Sequence, residues 1–137
     1  MQSFKFLAVG AAALIAFQTQ PGFAHHSYAM FDMDKNVTLD GTVKEVQWTN
    51  PHIWIQMVVK DPATGKDVEW SIEGASPNML SRAGWTRSQL KAGDKAVIVV
   101  HPVRNVENGN SGSLASLTVN GQKVYGGQNP NQPAEAK

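Results

Sequence analysis

The chain of 137 residues contains no cysteine. Disulfides, thiolate nucleophiles and cysteine-based zinc sites are therefore excluded, and stability has to come from packing. There is no charge excess either, with 12 basic against 11 acidic side chains. A protein that held nucleic acid by neutralising phosphates would need a basic face, so no nucleic-acid partner is expected. No phosphate loop, nucleophile elbow, Ser/His/Asp arrangement or HxxxH spacing occurs, so no catalytic motif points to an enzyme. Only one long apolar run exists, Phe6 to Phe17. At about a dozen residues it falls short of the ~20 needed to span a bilayer.

That run has the form of an export signal. Lys5 is the positive start, Phe6–Phe17 the apolar centre, and Gly22 and Ala24 the small residues of a cleavage site. Residues 1–24 are thus expected to be a signal peptide, and the mature protein to be exported, in a bacterium to the periplasm. The alternative is an uncleaved N-terminal anchor. With the signal and its Lys5 removed, the remaining charges balance and no stable membrane span is left. Residues 25–137 are one domain's worth of chain.

Residues 25–36 have no clear period and read as an arm, with Tyr28, Met30 and Phe31 as candidates to pin it. Val37–Trp48 alternates with Val37, Leu39 and Val43 on one face, and then the apolar phase flips to Val46 and Trp48. A one-residue slip of this kind is what a β-bulge produces. Gly41 permits a bend. Asn50-Pro51 marks a turn before His52–Lys60, which alternates with Ile53, Ile55, Met57 and Val59 on one side. After the Asp61–Gly65 loop, Asp67–Glu73 returns with Val68, Trp70 and Ile72 inward. Ser76-Pro77 followed by Gly84 brackets a short helix. Lys95–His101 is a nearly apolar strand. Asn105–Ser113 reads as a loop, and Leu114–Val119 as a strand. Asn120-Gly121 is a hairpin turn into Gln122–Tyr125. Residues 126–137 lack core residues and are expected to be a disordered tail.

Three strands, a short helix and two further strands are the order of the OB-type barrel. The sequence therefore predicts an all-β protein, an OB-like five-stranded antiparallel barrel over residues 37–125 with its helix between strands three and four. The expected core is Val37, Leu39, Val43, Ile53, Ile55, Met57, Val68, Trp70, Ile72, Ile98 and Leu117.

The set His25-His26-Ser27, Phe31-Asp32, Gly41-Thr42-Val43, Trp48, Asn50-Pro51-His52, Trp70, Glu73, Gly84-Trp85 and Gly93-Asp94 resembles a family of small exported bacterial proteins classed as a domain of unknown function. The resemblance covers about residues 25 to 125 and implies export and a small β-barrel-like domain. It implies no activity, so no site residues follow from it.

Cleavage after Ala24 would start the mature chain with His25 and His26. A terminal amine beside an imidazole is a chelate, and nitrogen-rich tetragonal surroundings favour Cu(II). The candidate metal ligands are His25 and His26, with a third nitrogen from His26, His52 or His101. Copper is the favoured cofactor. The competing reading is a solvated or structural terminus. For His52 it is turn chemistry at Asn50-Pro51, and for His101 a strand end meeting solvent. On OB topology, His52 and His101 fall at opposite ends of strand one, and the arm reaches one of them, not both.

A separate candidate is the outward face of strands two and three. Trp54, Glu69, Ser71 and Glu73 would form a ligand-binding patch there, as in other OB-type domains. A tryptophan beside carboxylates suits sugars or cationic groups. The alternative is an ordinary surface. The two functional expectations are a metal-binding protein and a non-catalytic ligand- or protein-binding module.

Overall fold

A computed structural model describes residues 28–126, apart from 106 and 108. The expected signal peptide, His25, His26 and nearly all of the C-terminal tail lie outside the described residues. Six strands and one α-helix follow in chain order: β1 (Val37–Gln47), β2 (Trp54–Lys60), β3 (Asp67–Glu73), α1 (Pro77–Arg82), β4 (Lys95–Pro102), β5 (Ser111–Val119) and β6 (Gln122–Gly126). The alternating apolar side chains need one covered face, and the sheet supplies it by closing on itself. β1 pairs with β2 through its C-terminal half and with β4 through its N-terminal half. β2 pairs with β3, and β4 with β5, all antiparallel. The parallel pairing of Ser71–Glu73 with Ser111–Ser113 closes the ring. This is the five-stranded OB-type barrel, and β6 is an additional strand hairpinned onto β5.

The slip in β1 is real. Its register with β2 shifts between Val43 and Glu45, where the apolar phase of the sequence changes. Gly41 sits where β1 passes between β2 and β4, and a Cβ there would lie 2.1 Å from the Val58 carbonyl oxygen. Only glycine allows this approach. At the hairpin between β5 and β6, Asn120 and Gly121 have φ of 48° and 81°, the pair of positive angles that a type I′ turn requires.

Inside the barrel, Val43, Ile53, Ile55, Met57, Ile72, Ile98, Val100 and Leu117 are buried, and Val37, Val68 and Trp70 pack against them half-exposed. α1 begins on the Ser76 cap, whose hydroxyl accepts from the Met79 amide at 3.4 Å. It ends two residues before the glycine, because Gly84 is the left-handed residue after the Ala83 cap. Gly84 N–H donates to Ser81 and Trp85 N–H to Leu80, the two bonds of a Schellman ending with its hydrophobic contact between positions C3 and C″. Leu80 and Trp85 are both fully buried. Trp85, absent from the expected core, is its largest side chain. It meets Trp48 edge-on at 5.5 Å and Tyr125 at 5.7 Å.

One expectation needs correction. Ser111–Ser113 were read as loop, yet they begin β5 and form the closing seam with β3. Their small side chains carry no apolar alternation. A Cβ on Gly112 would lie 2.8 Å from the Val100 side chain, so the tight approach there is made by backbone.

Candidate functional site

The Asn50–Pro51 peptide bond is cis, and it delivers His52 to the start of the β2–β3 ladder. Ile53 and Gly74 extend that ladder through Gly74 N–H to Ile53 O at 2.9 Å and Ile53 N–H to Ala75 O at 3.2 Å. His52 Nδ1 lies 3.0 Å from the Gly74 carbonyl oxygen and 3.5 Å from Glu73 Oε1. A carbonyl oxygen can only accept, so Nδ1 carries the hydrogen. In the neutral ring, Nε2 is then the nitrogen with the free lone pair.

His101 has the same arrangement in a different place. Its Nδ1 donates to the Lys35 carbonyl at 2.9 Å, which again leaves Nε2 as the lone-pair nitrogen. The two rings stand near opposite ends of β1, as expected, with Trp54 beside Gln47 and Val100 beside Val37. Across the closing seam the separation is smaller, because the barrel is staggered. Trp54, Glu73, Ser113 and His101 are successive ladder partners on β2, β3, β5 and β4. Three strand spacings are about 14 Å.

The face of β2 and β3 does carry the expected residues, with one correction. Trp54 lies directly opposite Glu73, and Gln56 opposite Ser71, with a hydrogen bond from Gln56 Nε2 to Ser71 Oγ at 3.0 Å. Glu73, expected on an outward patch, is buried at 6% exposure although its parity points it away from the core. Glu69 is exposed and ion-paired with Lys44 at 2.6 Å. Four residues separate the two carboxylates along β3, about 13 Å. That is too far for an acid/base pair sharing one bond, and Glu69 is a surface ion pair apart from the His52–Glu73–Trp54 group.

The arm is fastened at the other end of β4. Phe31, 3% exposed, bridges Val103. Asp32 N–H donates to Pro102 O at 2.7 Å, and Arg104 N–H to Met30 O at 2.9 Å. Arg104 Nε adds a bond to Ala29 O at 3.2 Å. The Asp32 carboxylate meets Lys35 at 3.1 Å and Arg104 at 3.8 Å. The hydrogen bond from Lys35 holds its pKa below the ordinary carboxylate value, with Arg104 adding to the effect. Of the candidate pins, Phe31 is buried and Met30 is exposed. The partner strand for the arm, Pro102–Arg104, had no signal in the sequence.

Among the described residues, no group of three or more His, Cys, Asp or Glu side chains could hold a metal ion. None of their helices is long and apolar enough to cross a membrane. The indole N–H of Trp85 is buried without a hydrogen-bond partner among them.

The fold and these contacts define a small OB-type β-barrel with an N-terminal arm clasped to its fourth strand. The chain belongs to DUF6152, a family of unknown function whose model matches residues 12–114. No curated protein and no solved structure matches it.

Proposed function

We propose that this is an exported, periplasmic metal-binding protein. In this reading, cleavage after Ala24 exposes His25 as the mature terminus. Copper is then held by the amine and ring of His25, by His26, and by an imidazole of the barrel, from His52 or His101. The observation that supports it is the shared orientation of the two barrel histidines. Each has its Nδ1 hydrogen held by a backbone carbonyl, at 3.0 Å for His52 and 2.9 Å for His101. Metal-binding histidines are fixed in this way, with one ring nitrogen tied to a carbonyl or carboxylate and the other free to coordinate. The described residues supply imidazoles but no complete ligand set, so the reading depends on the terminus. Mass spectrometry of protein recovered from the periplasm tests this first. A mass starting at His25 is expected, and any other start removes the chelate.

A second reading is favoured by a different observation. Glu73 is a carboxylate with a 7% exposed side chain, facing outward beside Trp54, with His52 at 3.5 Å. A buried negative charge next to an indole is a place for a cationic group. This would make the β2–β3 face a ligand-binding module around Trp54 and Glu73, with Glu69 at its exposed margin. Nuclear magnetic resonance titration with tetramethylammonium tests it. Shifts centred on Trp54 that vanish in Glu73→Gln are expected, and shifts unaffected by that change would end it.

A further inference from the structure

We infer that the Trp54–Glu73 face takes a guanidinium group, as carried by arginine, in preference to a cation that cannot donate hydrogen bonds. This deepens the cation-site reading of that face and rests on it.

The other sheltered carboxylates of the described residues are each met by the chain itself. Asp32 faces Lys35 at 3.1 Å and Arg104 at 3.8 Å. Asp61 accepts from the Ala63 and Thr64 amides at 2.7 and 2.9 Å. Asp94 accepts from Lys91 Nζ at 2.8 Å. Glu73 is as enclosed as these, with its side chain 7% exposed, yet its one ionisable neighbour is the His52 ring at 3.5 Å. The hydrogen on that ring's Nδ1 is taken by the Gly74 carbonyl at 3.0 Å. Two residues along the ladder, Gln56 and Ser71 bond each other at 3.0 Å instead of the carboxylate. A sheltered carboxylate with unfilled lone pairs costs free energy until a donor meets it. Its oxygens can be reached from outside. Among the described residues, the side-chain polar atom that is both fully enclosed and unpartnered is Trp85 Nε1, not an oxygen of Glu73.

The surroundings of Glu73 select the donor. Trp54, half-buried, stands directly opposite it on β2, and the Cβ atoms of such a pair are about 4.5–5.5 Å apart. On the β5 side its ladder partner is Ser113, a small side chain. Indole and carboxylate are thus adjacent, and a ligand has to satisfy both. A guanidinium is planar and weakly hydrated. It stacks on an indole while its edge gives two parallel N–H bonds to the carboxylate oxygens. A quaternary ammonium has the charge and the affinity for the indole, but it covers the carboxylate without filling its lone pairs.

The test is a nuclear magnetic resonance titration of the purified protein at fixed chloride concentration. The ligands are N-acetylarginine methylamide, free arginine, the uncharged N-acetylcitrulline methylamide, and tetramethylammonium. The readout is the indole N–H resonance of Trp54, assigned with Trp54→Phe. We expect arginine in at least one of its two forms to bind about tenfold or more tighter than tetramethylammonium, and the citrulline compound to leave the resonance unmoved. Glu73→Gln should weaken arginine binding by about tenfold or more, whereas Asp67→Asn, an exposed carboxylate on the same strand paired with Lys60, should bind as wild type. Tighter binding of the blocked form assigns the guanidinium to a peptide, and tighter binding of free arginine to a small guanidino compound; both uphold the inference. If tetramethylammonium binds as tightly as either arginine form, or the citrulline compound as tightly as the blocked arginine, the guanidinium assignment is overturned. If no cation moves the Trp54 resonance, the cation-site reading itself has failed. The comparison of ligands is made on the wild type, so it stands even where Glu73→Gln does not fold.

Discussion

Ile55 has no exposed surface and sits in the middle of β2, directly opposite Val46 on β1 and Ile72 on β3. It is a direct probe of the strand phase on which the barrel account depends. Ile55→Ala removes three carbons, and at about 0.8 kcal/mol each their transfer alone is worth about 2.4 kcal/mol. The neighbours are locked in paired strands and can close only part of the hole, so a cavity contribution adds to this. The total should fall within about 2–5 kcal/mol. A loss of about 3 kcal/mol would lower the melting temperature of a domain this size by about 12–24 °C. The control is Val97→Ala on β4, whose side chain is 38% exposed and should change stability by no more than about 0.5 kcal/mol. Urea titration and thermal melting followed by circular dichroism measure both. If Ile55→Ala melts together with Val97→Ala, the inward face of β2 is the other one, and the core described here is wrong.

Two further outcomes follow from the same structure. Gly41→Ala would push a methyl group against the Val58 carbonyl, only 2.1 Å from the ideal Cβ. It should cost at least about 1–3 kcal/mol in a denaturant titration, and a neutral result would show that β1 and β2 do not approach this closely. Asp94 is buried in the turn before β4, where its carboxylate accepts from Lys91 Nζ at 2.8 Å and Lys91 N–H at 2.9 Å. The Lys91 side chain, then its amide, hold the Asp94 pKa below the ordinary value. A carboxyl with a depressed folded pKa contributes stability above its unfolded pKa of about 3.9 and loses it as pH falls through the folded value. Asp94→Asn should therefore lower the urea midpoint at pH 7, and the difference from wild type should shrink at pH 3. A difference of equal size at both pH values would contradict the ion-pair account.

What could be read from the sequence was what repeats along the chain or is confined to a few neighbours. The phase change from Val43 to Val46 located the bulge. Asn120-Gly121 located the hairpin, and Ser76-Pro77 with Gly84 bracketed α1 within two residues at its end. Ser111–Ser113 escaped because a closing seam made by backbone bonds and a glycine has no apolar pattern. Trp85 escaped because it stands outside any periodic element. The helix-ending motif Leu80 to Gly84-Trp85 was its only signal, and that signal is local enough to have been used. Glu73 was misjudged because strand parity gives the side of the sheet on which a residue lies and says nothing of what covers that side. The meeting of His52 with Glu73 and Gly74, and of Phe31 with Val103, depends on long-range register. The His-His start was visible from the outset as a chemical possibility, and the structure adds where the arm behind it is fastened.

The most direct measurement of the central claim is a Cu(II) titration comparing protein that starts at His25 with the same protein extended by one methionine. The processed form offers an amine that has only to shed an ammonium proton, of pKa about 7.7–8.0 when free. The extended form offers an amide in its place, which gives up its proton far less readily. Tighter binding of a single Cu(II) by the processed form, weakening as pH drops because amine and imidazole must both be deprotonated to coordinate, is the predicted result. Equal affinity of the two forms would contradict a copper site built on the terminus.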